Sequence, residues 1–235
     1  MIGILEAGTP PSGLAGSSED YASMFRRLLG PGTHTQTFDV VGSALPSPDR
    51  CKAWLITGGP ASAYDNSPWI SALIEFVREI PAEKPLAGIC FGHQLMSKAY
   101  GGVIAKSQKG RALGIHTYDI CQPTKWFDAA STVSLPVGHS DQVVAVSPDC
   151  QVIGGSEFTP FGILEYAGRR ALSMQSHPEF SIDYTRNLIE LRRSEVGNVA
   201  ADKALASLNH PHDGPRMAAW LKLFLTADDR ICGSR

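Results

Sequence analysis

A cysteine stands in the middle of the segment Gly88-Ile89-Cys90-Phe91-Gly92, where an apolar run gives way to a helical pattern. A nucleophile flanked by small residues between a strand and a helix has the pattern of a nucleophile elbow. Such a turn places its side chain at a helix N-terminus, where the dipole favours the thiolate, and the Phe91 amide could donate to an oxyanion. Taken alone, the pentapeptide is equally explained by a buried structural cysteine.

A second segment, Ser176-His177-Pro178-Glu179, follows the strand-like residues Arg170–Gln175. A cysteine nucleophile needs a base, and the base needs a partner that orients it. His177 could be the base, and Glu179 could hold its other ring nitrogen, because Pro178 fixes the turn between them. Without the first segment, a loop histidine beside a solvated glutamate is the simpler interpretation.

Strands and helices alternate along the first hundred residues. Strands are predicted at Met1–Leu5, Thr35–Val41, Cys51–Thr57 and Pro85–Ile89. The helices between them are predicted from N-cap serines Ser17 and Ser18 to about Leu29, from Ser67-Pro68 onward, and over Phe91–Tyr100. Because most of these strands are continuously apolar, the order predicts a parallel sheet covered on both faces.

The pattern changes after residue 102. Between Val103 and Gln175 several short strands follow one another, which predicts an antiparallel extension of the same domain. Turns are expected at Pro136, Pro148-Asp149, Gly154-Gly155 and Gly168. Helix resumes at Ser181, breaks at Gly197-Asn198, and ends with a stripe of Met217, Trp220, Leu221 and Phe224 that is expected to pack on the chain's own core. No linker or repeat is visible, so residues 1–235 are interpreted as a single domain.

Composition excludes several functional classes. The 235 residues include 21 basic and 23 acidic side chains, a formal charge of −2, so neither nucleic acid nor a membrane surface is an expected partner. No stretch approaches the roughly 18 apolar residues that span a membrane. The five cysteines form no C-x-x-C pair, which argues against a zinc or redox site and favours a cytoplasmic location. His210-Pro211-His212-Asp213 is interpreted as an exposed loop rather than as metal ligands.

Four segments together resemble the class I, triad-type glutamine amidotransferases. They are Gly88–Gln94, His177–Glu179, Gly58-Gly59-Pro60 after the third strand, and His139-Ser140-Asp141 in the antiparallel part. Their order and separation fit nearly the whole chain, which most resembles the stand-alone, GMP-synthetase-like group that includes γ-glutamyl peptidases. The resemblance implies a three-layer, flavodoxin-like α/β/α sandwich with a mostly parallel central sheet, in agreement with the strand pattern.

The resemblance also implies the site. It implies a catalytic triad of Cys90, His177 and Glu179, oxyanion amides at Gly59 and Phe91, and substrate contacts from Gln94, His139, Ser140 and Asp141. The implied reaction begins with thiolate attack on the side-chain carbonyl of glutamine. A γ-glutamyl thioester forms, ammonia leaves, and water then releases glutamate. No metal or organic cofactor is expected.

The chain contains no G-x-x-x-x-G-K-[ST] phosphate loop, and Lys109-Gly110-Arg111 is expected to be a solvated hairpin. ATP-dependent amination therefore needs a separate synthetase subunit, or the acceptor is water or an amine. One alternative is a PfpI-type cysteine peptidase, in which a histidine directly follows the nucleophile, whereas Phe91 does so here. Another is a non-catalytic interaction module, against which the intact triad argues.

Overall fold

The structure, a computed structural model, describes residues 1–14 and 19–227. The predicted cap serines Ser17 and Ser18, and Cys232, lie outside the described residues. The helix that the serines were expected to begin starts at Tyr21. Its N-cap is Asp20, whose carboxylate accepts a hydrogen bond from the Ser23 amide at 2.6 Å.

Eleven strands are found in the described residues. In chain order they are β1 (Ile2–Glu6), β2 (Thr35–Asp39), β3 (Ala53–Ile56), β4 (Leu86–Ile89), β5 (Val103–Lys106), β6 (Ala112–Ile120), β7 (Thr132–His139), β8 (Asp141–Ala145), β9 (Cys150–Gly155), β10 (Ile163–Tyr166) and β11 (Ala171–Met174).

Nine of these strands form one sheet with the order β2-β1-β3-β4-β11-β10-β9-β6-β7. The pairings from β2 to β11 are parallel. Those from β11 to β7 are antiparallel. The predicted parallel sheet with an antiparallel extension is therefore confirmed, and β11 is the strand that joins the two halves.

The described residues also form six helices. They are α1 (Tyr21–Leu29), α2 (Pro68–Glu79), α3 (Phe91–Ala99), α4 (Ile182–Val196), α5 (Asn198–Ser207) and α6 (Gly214–Thr226).

Successive residues of the parallel strands point to opposite faces of the sheet. Ile4 and Leu55 belong to a buried cluster that includes side chains of α1 and α6. Leu5 and Ile56 belong to a second cluster with side chains of α2 and α3. Helices therefore cover both faces of the parallel half, which is the layered α/β arrangement that the apolar strands predict.

The predicted turns at Pro136 and at Gly154-Gly155 are wrong. Pro136 lies inside β7, opposite Ile115 of β6, and Gly154 and Gly155 are the last residues of β9. Because β7 is the outermost strand, a residue without an N–H is tolerated on its free side. The carbonyl of Pro136 accepts a hydrogen bond from the His177 amide at 2.8 Å, so that side faces the loop after β11.

The predicted hairpin at Lys109-Gly110-Arg111 is also wrong. The segment is a turn between β5 and β6, which do not pair with each other. Instead β5 pairs with β8 in a separate two-stranded sheet. This turn therefore connects two sheets.

The stripe of the last helix packs as predicted. Met217, Trp220, Leu221 and Phe224 are all buried and join the core cluster that contains α1. Among the described helices none is both long enough and apolar enough to cross a bilayer.

Candidate active site

Cys90 occupies the turn between β4 and α3. Its φ is 49° and its ψ is −99°, and within residues 1–14 and 19–227 no other residue except glycine has a positive φ. Strained backbone of this kind costs about 1–3 kcal/mol and persists only where the surroundings impose it. The Cys90 amide donates to the Met174 carbonyl at 2.9 Å, and the Gln94 amide donates to the Cys90 carbonyl at 3.0 Å. The turn is thus held by β11 on one side and by α3 on the other.

Gly92 allows α3 to lie against β3. A Cβ at this position would lie 2.5 Å from the Ile56 carbonyl oxygen and 2.8 Å from the Ile56 Cβ. The Gly92 amide donates to the carbonyl of Thr57 at 3.2 Å, directly beyond the end of β3. Phe91 begins α3, and its amide is among those that have no partner within a helix. The elbow is therefore packed backbone against backbone.

His177 and Glu179 lie in the loop after β11 and are both buried. Nδ1 of His177 donates to Oε1 of Glu179 at 2.6 Å. The ring of Phe180 stacks on the imidazole with centroids 3.9 Å apart and planes 6° apart. The ring is therefore fixed on its face by Phe180, at one nitrogen by Glu179, and through its backbone by β7.

The environment of His177 makes it a cation. Burial lowers the pKa of the imidazole, but the charges of Glu179 and Cys90, together with hydrogen bonds to both side chains, raise the pKa to about 10. A proton therefore resides on His177 at neutral pH, between a carboxylate and the sulfur of Cys90. The loss of the Glu179 charge would lower the pKa of His177.

The turn Gly58-Gly59 closes the site from the end of β3. A Cβ at Gly58 would lie 2.8 Å from Cε1 of His177 and 3.7 Å from the Cys90 Cβ, so a side chain here would collide with the imidazole. Gly59 and Phe91, the two predicted oxyanion donors, line the same cavity as Cys90. The sequence identified this turn but not the contact between Gly58 and the histidine.

Asp141 accepts hydrogen bonds from two other segments of the chain. Its carboxylate accepts hydrogen bonds from the hydroxyls of Ser62 and Tyr64, the latter at 3.0 Å. Its carbonyl accepts from Nε2 of Gln94 at 2.8 Å. Since Ser62 and Tyr64 belong to the loop that carries Gly59, Asp141 links that loop to α3. Nothing in the sequence pattern pointed to these hydroxyl partners.

His139 and Ser140 lie beside Asp141, and both line the cavity. Nδ1 of His139 donates to the Asp141 carbonyl at 3.0 Å. Burial lowers the pKa of His139 to about 3, so its ring is neutral. The Ser140 carbonyl accepts from the Ser107 amide at 2.7 Å, which ties the segment to the residue after β5.

The cavity has a volume of about 300 Å³. Eight of the nine predicted site residues line it, and the ninth, Glu179, lies behind His177. Its walls also include residues that the sequence did not identify: Tyr21, Ser62, Tyr64, Phe180, Tyr184, Arg111, Arg192 and Glu195. Among the described residues no group of three or more His, Cys, Asp or Glu side chains is placed to hold a metal ion.

Comparison with known proteins identifies the family of this chain. The family model described as glutamine amidotransferase class-I matches residues 33–190. A glutamine amidotransferase-like protein of Schizosaccharomyces pombe is 30% identical over 95% of this chain and 98% of its own length. Gamma-glutamyl peptidase 2 of Arabidopsis thaliana is 25% identical over 72% of each chain.

A solved structure, a glutamine amidotransferase of Thermotoga maritima, superposes with a TM-score of 0.73. It covers 99% of both chains at 19% identity, and so supports the fold alone. The family model spans more than half of the chain and includes the cysteine turn and the His-Pro-Glu segment. On these grounds the chain belongs to the class-I glutamine amidotransferase family.

Proposed function

We propose that this chain is a cysteine hydrolase that cleaves the γ-glutamyl amide bond of glutamine or of a γ-glutamyl compound. The observation that carries the proposal is the arrangement around His177. A protonated imidazole lies between the Cys90 sulfur, on a strained turn, and the Glu179 carboxylate at 2.6 Å. The relative named gamma-glutamyl peptidase supports the same class of bond.

The proposed reaction starts with the Cys90 thiolate, which attacks the γ-carbonyl carbon and forms a carbon–sulfur bond. The amides of Gly59 and Phe91 donate to the oxyanion. His177 gives its proton to the leaving nitrogen, and the carbon–nitrogen bond breaks to leave a γ-glutamyl thioester.

Hydrolysis of the thioester needs His177 in the opposite role. Once Cys90 is acylated, its sulfur no longer raises the pKa of the imidazole, so the pKa of His177 falls. The neutral ring can then take a proton from water, which attacks the thioester and releases glutamate and the Cys90 thiolate. His177 and Cys90 thereby return to their starting charges.

The proposal includes activity without a synthetase subunit. The loop that carries Gly59 is held by the chain's own side chains, through Asp141 and through Nζ of Lys98, which donates to the Ala63 carbonyl at 2.9 Å. The apolar stripe of α6 is buried in the chain's own core rather than presented to a partner. A cytoplasmic location is also proposed, since the four described cysteines are all unpaired.

The test is release of ammonia or amine by the purified chain, with Cys90→Ala as the blank. Glutamine and γ-glutamyl dipeptides are assayed, and release above the blank is expected with no other protein added. Release that begins only when a synthetase is added would favour a partner-dependent glutaminase. No release under either condition would favour a non-catalytic module, and cleavage of internal α-peptide bonds would favour a PfpI-type peptidase.

A further inference from the structure

One wall of the cavity is a single stripe of α4. The ring of Phe180, which stacks on His177, contacts the ring of Tyr184 with centroids 4.3 Å apart. Tyr184, Leu188 and Arg192 then line the cavity at intervals of four residues, which places them on one face of the helix. The stripe therefore leads from the imidazole that protonates the leaving group, in the mechanism proposed above, to a guanidinium group.

Two guanidinium groups meet at the end of this wall. Arg111, immediately before β6, donates through Nε to Oε1 of Glu195 at 2.9 Å, and its Nη2 lies 2.9 Å from the same oxygen. Nη1 of Arg192 lies 3.5 Å from Oε2 of Glu195. One carboxylate thus orients two cations, and the cluster keeps a net charge of +1.

Arg192 also carries a donor that the chain does not use. Its Nε is buried and has no hydrogen-bond partner among the described residues. A buried donor without an acceptor is unfavourable, and a guanidinium presents paired N–H groups that match the two oxygens of a carboxylate. All three members of the cluster line the cavity that contains Cys90.

We propose that Arg111 and Arg192 bind the α-carboxylate of the group that leaves from the γ-glutamyl bond. The preferred substrates are then γ-glutamyl peptides rather than glutamine. This inference rests on the hydrolase function proposed above and names the substrate class of the same site.

The dimensions of the wall support a leaving group of one or two residues. Tyr184 and Arg192 are separated by about 12 Å along the helix axis. Side chains on a helix generally lean toward its N-terminus, which is the end of this stripe that lies next to His177. Two residues span up to about 7 Å when extended, whereas the ammonia released from glutamine has no group that could reach the cluster.

The carboxylate of the glutamyl part has a different candidate partner. Lys106 also lines the cavity and lies on β5, where it pairs in register with Asp141 of β8. The arginine pair on the α4 side therefore remains available for a second carboxylate.

The experiment compares γ-glutamylalanine with γ-glutamylalaninamide, which differ only in the carboxylate of the leaving group. The kcat/KM ratio of acid to amide is measured for the full chain and for Arg111→Gln and Arg192→Gln. We expect the wild type to prefer the acid and each variant to lower the ratio about tenfold to a hundredfold, chiefly through KM. Arg186→Gln is the matched control, because Arg186 is exposed on the same helix and does not line the cavity.

Binding measurements test the arginine site independently of the proposed hydrolase activity. The affinities of the acid and the amide for Cys90→Ala protein are measured by calorimetry, with and without Arg192→Gln. Tighter binding of the acid that disappears with Arg192→Gln supports the arginine site even if no hydrolysis is seen. Equal affinity for the two compounds, or an unchanged kcat/KM ratio in both arginine variants, would overturn it while leaving hydrolysis intact.

Discussion

The cysteine turn and the loop that faces it are held in place by different forces. The turn at Cys90 is buried, strained and packed through backbone atoms, with Gly92 against Ile56. The facing loop, residues 58–64, is held by the hydroxyls of Ser62 and Tyr64 on one carboxylate, and Tyr64 is 44% exposed. Changes at the first region should therefore abolish much of the activity or the stability, whereas changes at the second should have graded effects.

The largest effect is expected when a buried charge is removed next to the cysteine turn. In Glu179→Gln the side-chain oxygen can still accept from Nδ1 of His177, but the negative charge that raises the pKa of the imidazole is lost. With burial then dominant, the pKa of His177 falls from about 10, and we expect kcat to drop about a hundredfold.

The pH profile of Glu179→Gln follows from the same shift. In the wild type the imidazole stays protonated as the pH rises until about 10, so the alkaline fall of kcat/KM begins near that pH. In the variant the fall should begin at lower pH, as measured between pH 6 and 10.5. Glu190→Gln, on an exposed residue of α4, is the control with an unchanged profile. If kcat/KM of Glu179→Gln fell at the same alkaline pH as that of the wild type, the carboxylate would not be what raises the pKa of His177.

The next largest effect is expected on the free energy of unfolding, when Gly92 in the cysteine turn is replaced. Replacing a glycine within a helix by alanine ordinarily stabilises by up to about 1 kcal/mol. At Gly92 the added Cβ would lie 2.5 Å from a backbone oxygen of β3, so Gly92→Ala should destabilise by about 1–3 kcal/mol. Urea denaturation measures the difference.

Gly214→Ala is the matched control for that substitution. Gly214 also begins a helix, but the nearest atoms to its added Cβ are ring atoms of His212, 3.0 Å away, in a side chain that can move. We expect little change there. If the two variants were equally stable, the elbow would be less rigidly packed than the structure indicates.

The same contrast explains what could be predicted from the sequence. A strained nucleophile turn requires small residues next to the cysteine, so Gly88 and Gly92 mark it within five residues. The continuous apolar strands likewise predicted the parallel half of the sheet. Pro136 was misplaced because a proline in an outermost strand has the same sequence appearance as a proline in a turn.

The walls of the cavity could not be predicted in this way. The bonds of Ser62 and Tyr64 to Asp141 join segments nearly eighty residues apart, and those of Arg111 to Glu195 join segments 84 residues apart. No local pattern requires either partner. The four-residue spacing of Tyr184, Leu188 and Arg192 is visible in the sequence, but apolar residues at that spacing ordinarily mark a helix face packed on the core.

The smallest effect should come from the facing loop. Tyr64→Phe removes one of the two hydroxyls that hold Asp141, while Ser62 remains. An exposed hydrogen bond contributes little, about 0.5 to 1 kcal/mol, so kcat should fall about two- to fivefold. Because the loop carries Gly59, the loss should appear in kcat with KM nearly unchanged, as expected for an interaction that stabilises the oxyanion.

Tyr64→Phe also distinguishes two roles for Asp141. If the carboxylate positions the loop, Tyr64→Phe should have no further effect on kcat in an Asp141→Ala background, because the acceptor of the Tyr64 hydroxyl is already absent there. If the carboxylate instead binds substrate, release of one of its oxygens should change KM and leave kcat unaltered. Tyr100→Phe, the same change at a residue that does not line the cavity, should leave both constants unchanged. A change in KM alone would assign Asp141 to substrate binding, and the loop would then owe its position to Lys98 and the backbone.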